Sequence, residues 1–459
     1  MAPPRFPTLL ALALPVINAA SFLPSRDVTL NEIADSIENP GFISFPINRG
    51  SKSLSARSST ASLVNEADTS YLIELAFGSD AQSVKVAIDT GSDELFVDPD
   101  CKDRDFSEAL QRECTADGQY DPDSSTTSTV TEQTTGIQYG SGSVEIQYVM
   151  DSVGIPGTST NMSNVQFGVA VASQDLNEGI LGLGFGKGVN LNYSNFVDQL
   201  AAQNVTNSKA FSVALGTSDT AGGNIIFGGV DTKKFSGSLA SNTILDPVEN
   251  DIQRYTIPMN SLTYKNGSTS NKYSGSDLDV VLDTGSSLCE LPTTVVSGMV
   301  TDFNAQEDQS GLLYVDCAYQ SMGGSMDFAF PGVTISVPIS EFILSDGAEC
   351  VLGVEAYDPK QGGVALLGDT FLRSAYVVFD QTNMQISMAQ YMNCGTNEQA
   401  IPAGTAGVSG FTGECKSSKS SSSSSSSGDD ESAGDMTRPA AATSIVGLVA
   451  GLAALVALF

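Results

Sequence analysis

The 459 residues contain no histidine and no tryptophan. The missing imidazole excludes Ser-His-Asp hydrolysis, Cys-His proteolysis, His-ligated zinc and imidazole acid–base chemistry. Carboxylates are left as the natural proton carriers. Cations are scarce as well: 21 Lys and Arg stand against 53 Asp and Glu, a formal net charge of −32. A nucleic-acid partner needs clustered Lys and Arg to displace counterions, so that class is excluded too. Seven cysteines are few for a disulfide scaffold of this length, and an odd number leaves one thiol over. What remains is a glycine-rich chain, 41% hydrophobic and 16% charged, long enough for two or three domains with tails.

Both ends read as processing signals. Residues 1–20 carry one charge, Arg5, before the apolar run Leu9–Ile17 and the small pair Ala19-Ala20. The run is too short to span a bilayer and fits a secretory signal peptide, which places the rest in an oxidising compartment. At the other end, the serine run Ser420–Ser427 leads into a polar stretch of small residues. No charge follows Arg438, and Ile445–Phe459 is wholly uncharged. Small residues, a polar spacer and an apolar tail form the order of a GPI-attachment signal. Attachment is expected at Ser432, Ala433, Gly434 or Asp435, with residues 436–459 removed. A transmembrane helix is the competing reading, although no basic residue follows the tail. Sequons at Asn161, Asn192, Asn204 and Asn266 fit a secreted address.

Between the signals, residues 21–66 are polar and are expected to form a removable pro-segment or a flexible arm. No dibasic pair marks a cleavage point. From 67 to 395, short runs such as Tyr71–Phe77, Val84–Ile88, Val144–Val149, Phe211–Leu215, Asp279–Leu282 and Tyr376–Phe379 are rich in Val, Ile, Tyr and Phe and broken by turn residues. Helical patterns are short, at Phe196–Gln203 and Thr293–Asn304. An all-β body is predicted. It also repeats itself. Val86-Ala87-Ile88-Asp89-Thr90-Gly91-Ser92 is echoed by Val281-Leu282-Asp283-Thr284-Gly285-Ser286, and Ile180-Leu181-Gly182 by Leu366-Leu367-Gly368. Two motifs recurring in the same order imply two related lobes, 67–245 and 246–395, followed by a Ser-rich stalk over 396–435.

One Asp-Thr-Gly is only a turn: Asp accepts local backbone bonds and Gly relaxes the backbone. Two of them, each behind an apolar strand and each followed by Ser, place Asp89 and Asp283 at two strand ends that facing lobes bring together. Neighbouring carboxylates cannot easily both ionise, so the pair holds an acid and a base side by side. The ionised member takes a proton from water and the protonated member donates to a substrate carbonyl. Amide hydrolysis in acid then needs no metal, no cofactor and no nucleophilic side chain.

On these motifs, residues 67–395 resemble a pepsin-type aspartic protease, bilobal and all-β, with the cleft between its lobes. The resemblance implies Asp89 and Asp283 as the catalytic dyad. It implies that Thr90 and Thr284 lock the two loops together, with Gly91 and Gly285 in the turns. Ser92 and Ser286 match residues that hydrogen-bond the carboxylates, and Gly182 and Gly368 match elements passing behind each loop. Tyr139-Gly140-Ser141-Gly142 resembles the flap that closes over bound peptide; an ordinary hairpin tip is the plainer alternative. Two departures stand out. Phe96 occupies the place of a tryptophan whose ring nitrogen would bond the flap tyrosine. Asp93-Glu94 follows the first motif, where Ser-Asn or Ser-Asp is commoner; extra carboxylates there are expected to raise the dyad's pKa or attract cations.

With the C-terminal signal, the resemblance narrows to the GPI-anchored fungal yapsins, several of which cleave after Lys or Arg. The resemblance further implies the disulfide Cys317–Cys350. Cys101 and Cys114 are expected to close a small loop, Cys394 and Cys415 are a candidate third pair, and Cys289 is left as a buried thiol. The expected product is a cell-surface monomer acting on peptide or protein substrates. A non-catalytic wall protein and a two-carboxylate glycosidase are the rivals; intact Asp89 and Asp283 oppose the first, and the missing tryptophan weakens the second.

Overall fold

The apolar runs become strands, and their burial shows why. In Gln82–Asp89 the side chains from Val86 to Asp89 are all buried, because the strand runs through the middle of a sheet. The computed structural model describes residues 40–52, 68–102, 107–140, 142–218, 220, 222–247, 252–345, 349–361 and 363–416. The signal segment 1–20, most of 21–66, Ser141, the serine run and the attachment window Ser432, Ala433, Gly434 and Asp435 lie outside the described residues. Among those described, no helix is long and apolar enough to cross a membrane.

The sequence repeat is a repeat of topology. Gln82–Asp89 runs parallel to Gly179–Gly182, which is antiparallel to Leu95–Val97, which in turn lies parallel to Asn161–Gln174. In the second half, Leu278–Leu282 runs parallel to Leu366–Leu367, then antiparallel to Cys289–Pro292, then parallel to Val354–Tyr357. Each motif aspartate follows or ends the first strand of such a set.

The halves are not separate sheets. Ala375–Asp380 pairs with Ala210–Ala214, and Gln385–Gln390 pairs with Ala240–Thr243, so strands from both halves share one thirteen-stranded sheet. A continuous apolar cluster crosses the seam. Phe211 stacks on Phe379 at 5.0 Å, and Tyr255 meets Phe379 edge-on at 4.7 Å.

Two boundaries expected from the sequence shift. Residues 21–66 are not one block outside the body: Ile43–Lys52 is a strand held between Gly222–Phe227 and Asp68–Phe77. Its Ile43, Phe45 and Ile47 are buried, and Phe45 packs edge-on against Phe227 at 5.7 Å. Nor does a stalk begin at 396. Glu398–Ala400 pairs with Gly229–Asp231, Thr412–Glu414 pairs with Ser236–Ser238, and Ile401 and Val408 join an apolar cluster around Phe235 and Tyr376. The body therefore extends to Lys416.

Disulfides join Cys101 to Cys114, Cys317 to Cys350 and Cys394 to Cys415, and Cys289 is buried and free. The expected helices run over Phe196–Ala202 and Thr293–Phe303. A further helix, Glu108–Ala116, fills the first disulfide loop. Ser107 caps it by accepting from the Leu110 N–H at 3.2 Å, and it buries only Leu110 and Cys114, too few to write an apolar stripe.

Candidate active site

Each Asp-Thr-Gly turn holds its own carboxylate. The Gly91 N–H donates to Asp89 Oδ1 at 2.8 Å, and the Gly285 N–H to Asp283 Oδ1 at 2.9 Å. The Ser92 hydroxyl donates to Asp89 Oδ2, and the Ser286 hydroxyl to Asp283 Oδ2 at 2.8 Å. A strand end followed by a turn supplies this geometry from sequence alone, because the turn amides point back at the side chain.

The threonines join the two turns reciprocally. The Thr90 N–H donates to Thr284 Oγ1 at 3.1 Å, and the Thr284 N–H to Thr90 Oγ1 at 3.0 Å. Their hydroxyls then donate across the seam, Thr90 to the Leu282 carbonyl at 2.8 Å and Thr284 to the Ile88 carbonyl at 3.0 Å. Four bonds hold residues that lie far apart in the chain. The two glycines are needed because the carboxylates crowd them. A Cβ on Gly91 would stand 2.6 Å from Asp283 Oδ1, and one on Gly285 would collide with Asp89 Oδ1. Behind the loops, Gly182 and Gly368 approach backbone just as closely: a Cβ would strike Glu94 and Asp93 at the first, Ser286 and Leu288 at the second.

Asp89 is 6% exposed. Burial first, and the charge of Asp283 beside it second, push its carboxyl up to about 7; the bonds from Ser92 and Gly91 pull the other way. Tyr139 lies at the tip of a hairpin formed by Thr129–Gln138 and Ser143–Gly154. Within its tip, the Tyr139 N–H donates to the Gly142 carbonyl at 2.8 Å. Tyr139 packs on Phe96 with ring centroids 6.0 Å apart. Gly140 is exposed.

The two extra carboxylates have partners of their own. The leading causes acting on Asp89 are burial, the Asp283 charge, Ser92 and Gly91. Asp93 accepts from the Phe185 N–H at 2.7 Å and from Asn190 Nδ2 at 3.0 Å, and Glu94 accepts from Tyr148 and Tyr193. A cation is nonetheless drawn in: the Arg254 guanidinium donates to the Gly91 carbonyl and lowers Asp93, which burial raises. Sequence reading missed Arg254, Asn190, Tyr148 and Tyr193. The unusual Asp93-Glu94 pair was the one signal pointing to them.

Of the sequon residues, Asn161, Asn192 and Asn204 are exposed. Asn266 is half-buried, and its side-chain amide donates to the Tyr264 hydroxyl at 3.3 Å.

The fold has known counterparts. An aspartic proteinase from Irpex lacteus superposes with a TM-score of 0.59, covering 78% of this chain and all of that one at 22% identity, which shows a shared fold. Over 371 residues the chain is 31% identical to a probable aspartic-type endopeptidase opsB of Aspergillus oryzae, 74% of each chain being covered. Over 334 residues it is 35% identical to secreted aspartic protease 8 of Candida albicans, covering 72% of this chain and 77% of that one. The profile of the eukaryotic aspartyl protease family matches residues 70–391, and the chain belongs to that family.

Proposed function

We propose that this aspartic-type endopeptidase cleaves peptide bonds with Asp89 and Asp283 as its acid–base pair. The observation that carries the reading is the mutual crowding of the two motifs: each carboxylate lies against the glycine of the opposite turn. Two carboxylates this close hold one proton between them, and Asp89 keeps its proton to higher pH than an ordinary carboxyl.

The ionised member takes a proton from a water as the water oxygen attacks the substrate carbonyl carbon. The protonated member gives its proton to the carbonyl oxygen, leaving a neutral gem-diol. Collapse of that species breaks the C–N bond: the departing amine takes the proton held by one carboxyl, while a gem-diol hydroxyl gives its proton to the other carboxylate as the new carbonyl forms, so the pair regains its starting state. Ser92, Ser286, Gly91 and Gly285 orient the carboxylates, and the threonine lock keeps their spacing. Asp89→Asn and Asp283→Asn are the test: each is expected to lose turnover of a peptide substrate at pH 4 while keeping a wild-type melting profile in acid. Full activity in either variant overturns the assignment.

The wider reading is a secreted precursor, held at the cell surface by a GPI anchor on one of Ser432, Ala433, Gly434 or Asp435. The C-terminal residue pattern supports the anchor, and likeness to a secreted aspartic protease of Candida albicans supports secretion. The pro-segment is read over residues 21–66, and its strand Ile43–Lys52 pairs with the body of the uncleaved chain. A preference for substrates with Lys or Arg beside the scissile bond is supported by the excess of carboxylates alone. A diverse peptide library with cleavage sites read by mass spectrometry tests that preference.

A further inference from the structure

The hairpin bearing Tyr139 has no hydrogen-bonding partner in the ring beneath it. Phe96 is fully buried there and has no N–H to offer, and the Tyr139 hydroxyl is buried beside Ser92 without a bond of ordinary geometry among the described residues. Strand pairing with Asn161–Gln174 carries the hairpin, which leaves the side chains that reach the catalytic loop to set its tip.

The candidate is on the first catalytic loop. Glu94 sits five positions after Asp89. Its carbonyl accepts the Gly182 N–H at 2.9 Å, and Gly182 is itself the strand partner of Asp89. The Glu94 backbone is therefore fixed relative to the dyad. Its carboxylate accepts the hydroxyl of Tyr148, which lies on the return strand of the hairpin, Ser143–Gly154, and is buried. A second hydroxyl, from Tyr193, reaches the same oxygen at 3.4 Å, and the two rings meet edge-on at 5.6 Å. Phe96, Tyr148, Val144, Ile146 and Leu176 form an apolar cluster of their own, apart from the main core, with Tyr139 and Tyr193 packed on it. Within that cluster the Glu94 carboxyl oxygen is the shared acceptor of both hydroxyls.

We propose that Glu94 is a flap-positioning residue: through Tyr148 it sets the hairpin over Asp89 and Asp283, the task for which Phe96 provides no donor. Binding energy from a closed flap is shared by bound substrate and transition state alike, so losing the tether weakens KM and spares kcat. The inference rests on reading Tyr139–Gly142 as a flap over the dyad.

The test is steady-state kinetics of the purified enzyme on one synthetic peptide at pH 4, with pepstatin affinity and melting temperature measured on the same samples. Tyr148→Phe and Glu94→Ala are each expected to raise KM by about tenfold, with kcat held within about twofold. The double variant should be no worse than Glu94→Ala alone, because Glu94→Ala already removes the bond that Tyr148→Phe removes. Glu94→Asp, one methylene shorter, should behave like Glu94→Ala. Glu94→Gln, which keeps an acceptor oxygen, should recover most of the loss. Pepstatin should weaken in parallel with KM. A wild-type KM with a lowered melting temperature, or additive losses in the double variant, overturns the proposal. If Glu94→Ala does not fold, Tyr148→Phe, which loses a single oxygen, decides alone. Asp89→Asn is run alongside: activity there overturns the dyad, whereas its loss beside a wild-type KM in Tyr148→Phe overturns the tether only.

Discussion

Asp89→Asn removes one ionisable oxygen while keeping the outline of the side chain, so it isolates the proton from the packing. Turnover is expected to fall by about a thousandfold or more, the range of a lost general acid or base. Stability responds with a definite sign. The carboxyl of Asp89 rises from 3.8 to about 7 on folding, through burial and then through Asp283. The folded chain holds a proton there that the unfolded chain has released. That contribution favours folding in full below the unfolded value and is lost as pH rises through the folded one. Asp89→Asn has no such loss, so its melting temperature relative to wild type should climb between pH 4 and pH 7; calorimetry showing a constant difference contradicts the shift. The two aspartates were legible because their motif occurs twice. Arg254, Asn190 and Tyr148 were not, because they meet the loop from 163, 97 and 54 residues away and carry no local pattern.

Strands with a clean run of Val, Ile and Phe were visible in the sequence, and those with an interruption were not. Ile43, Phe45 and Ile47 alternate as a strand should, but Pro46 sits among them, and a proline argues against a central strand. The structure tolerates it with its side chain exposed. Phe45→Ala is therefore expected to cost about 3–5 kcal/mol in urea unfolding, as for a buried aromatic; a loss under about 1 kcal/mol would show that the strand is dispensable. The C-terminal strap was hidden for a different reason: Glu398–Ala400 and Thr412–Glu414 are short and polar, and they exist because partner strands and the Cys394–Cys415 bond receive them. Replacing both of these cysteines by serine should cost roughly 3 kcal/mol, the loop-closure value for a span of this size. Ending the chain after Lys416 should leave the melting temperature unchanged, whereas ending it at Tyr391 should lower it.

At the scale of the molecule, the internal echo of motifs gave the two related halves and the cleft between them. Strands near the end of the second half return to the first half's sheet, which the repeat alone does not indicate. Long-range pairing of that kind leaves no mark on composition or spacing. Deleting Ile445–Phe459 should release active enzyme into the medium, and continued retention on cells, followed by activity assay of both fractions, contradicts the anchor. The central claim is one proton shared by two carboxylates from opposite halves. The most direct measurement is kcat/KM for a neutral peptide from pH 2 to pH 9. The shared proton predicts a bell whose alkaline limb falls near pH 7, where Asp89 loses its proton. A rate that stays level through pH 9 contradicts it.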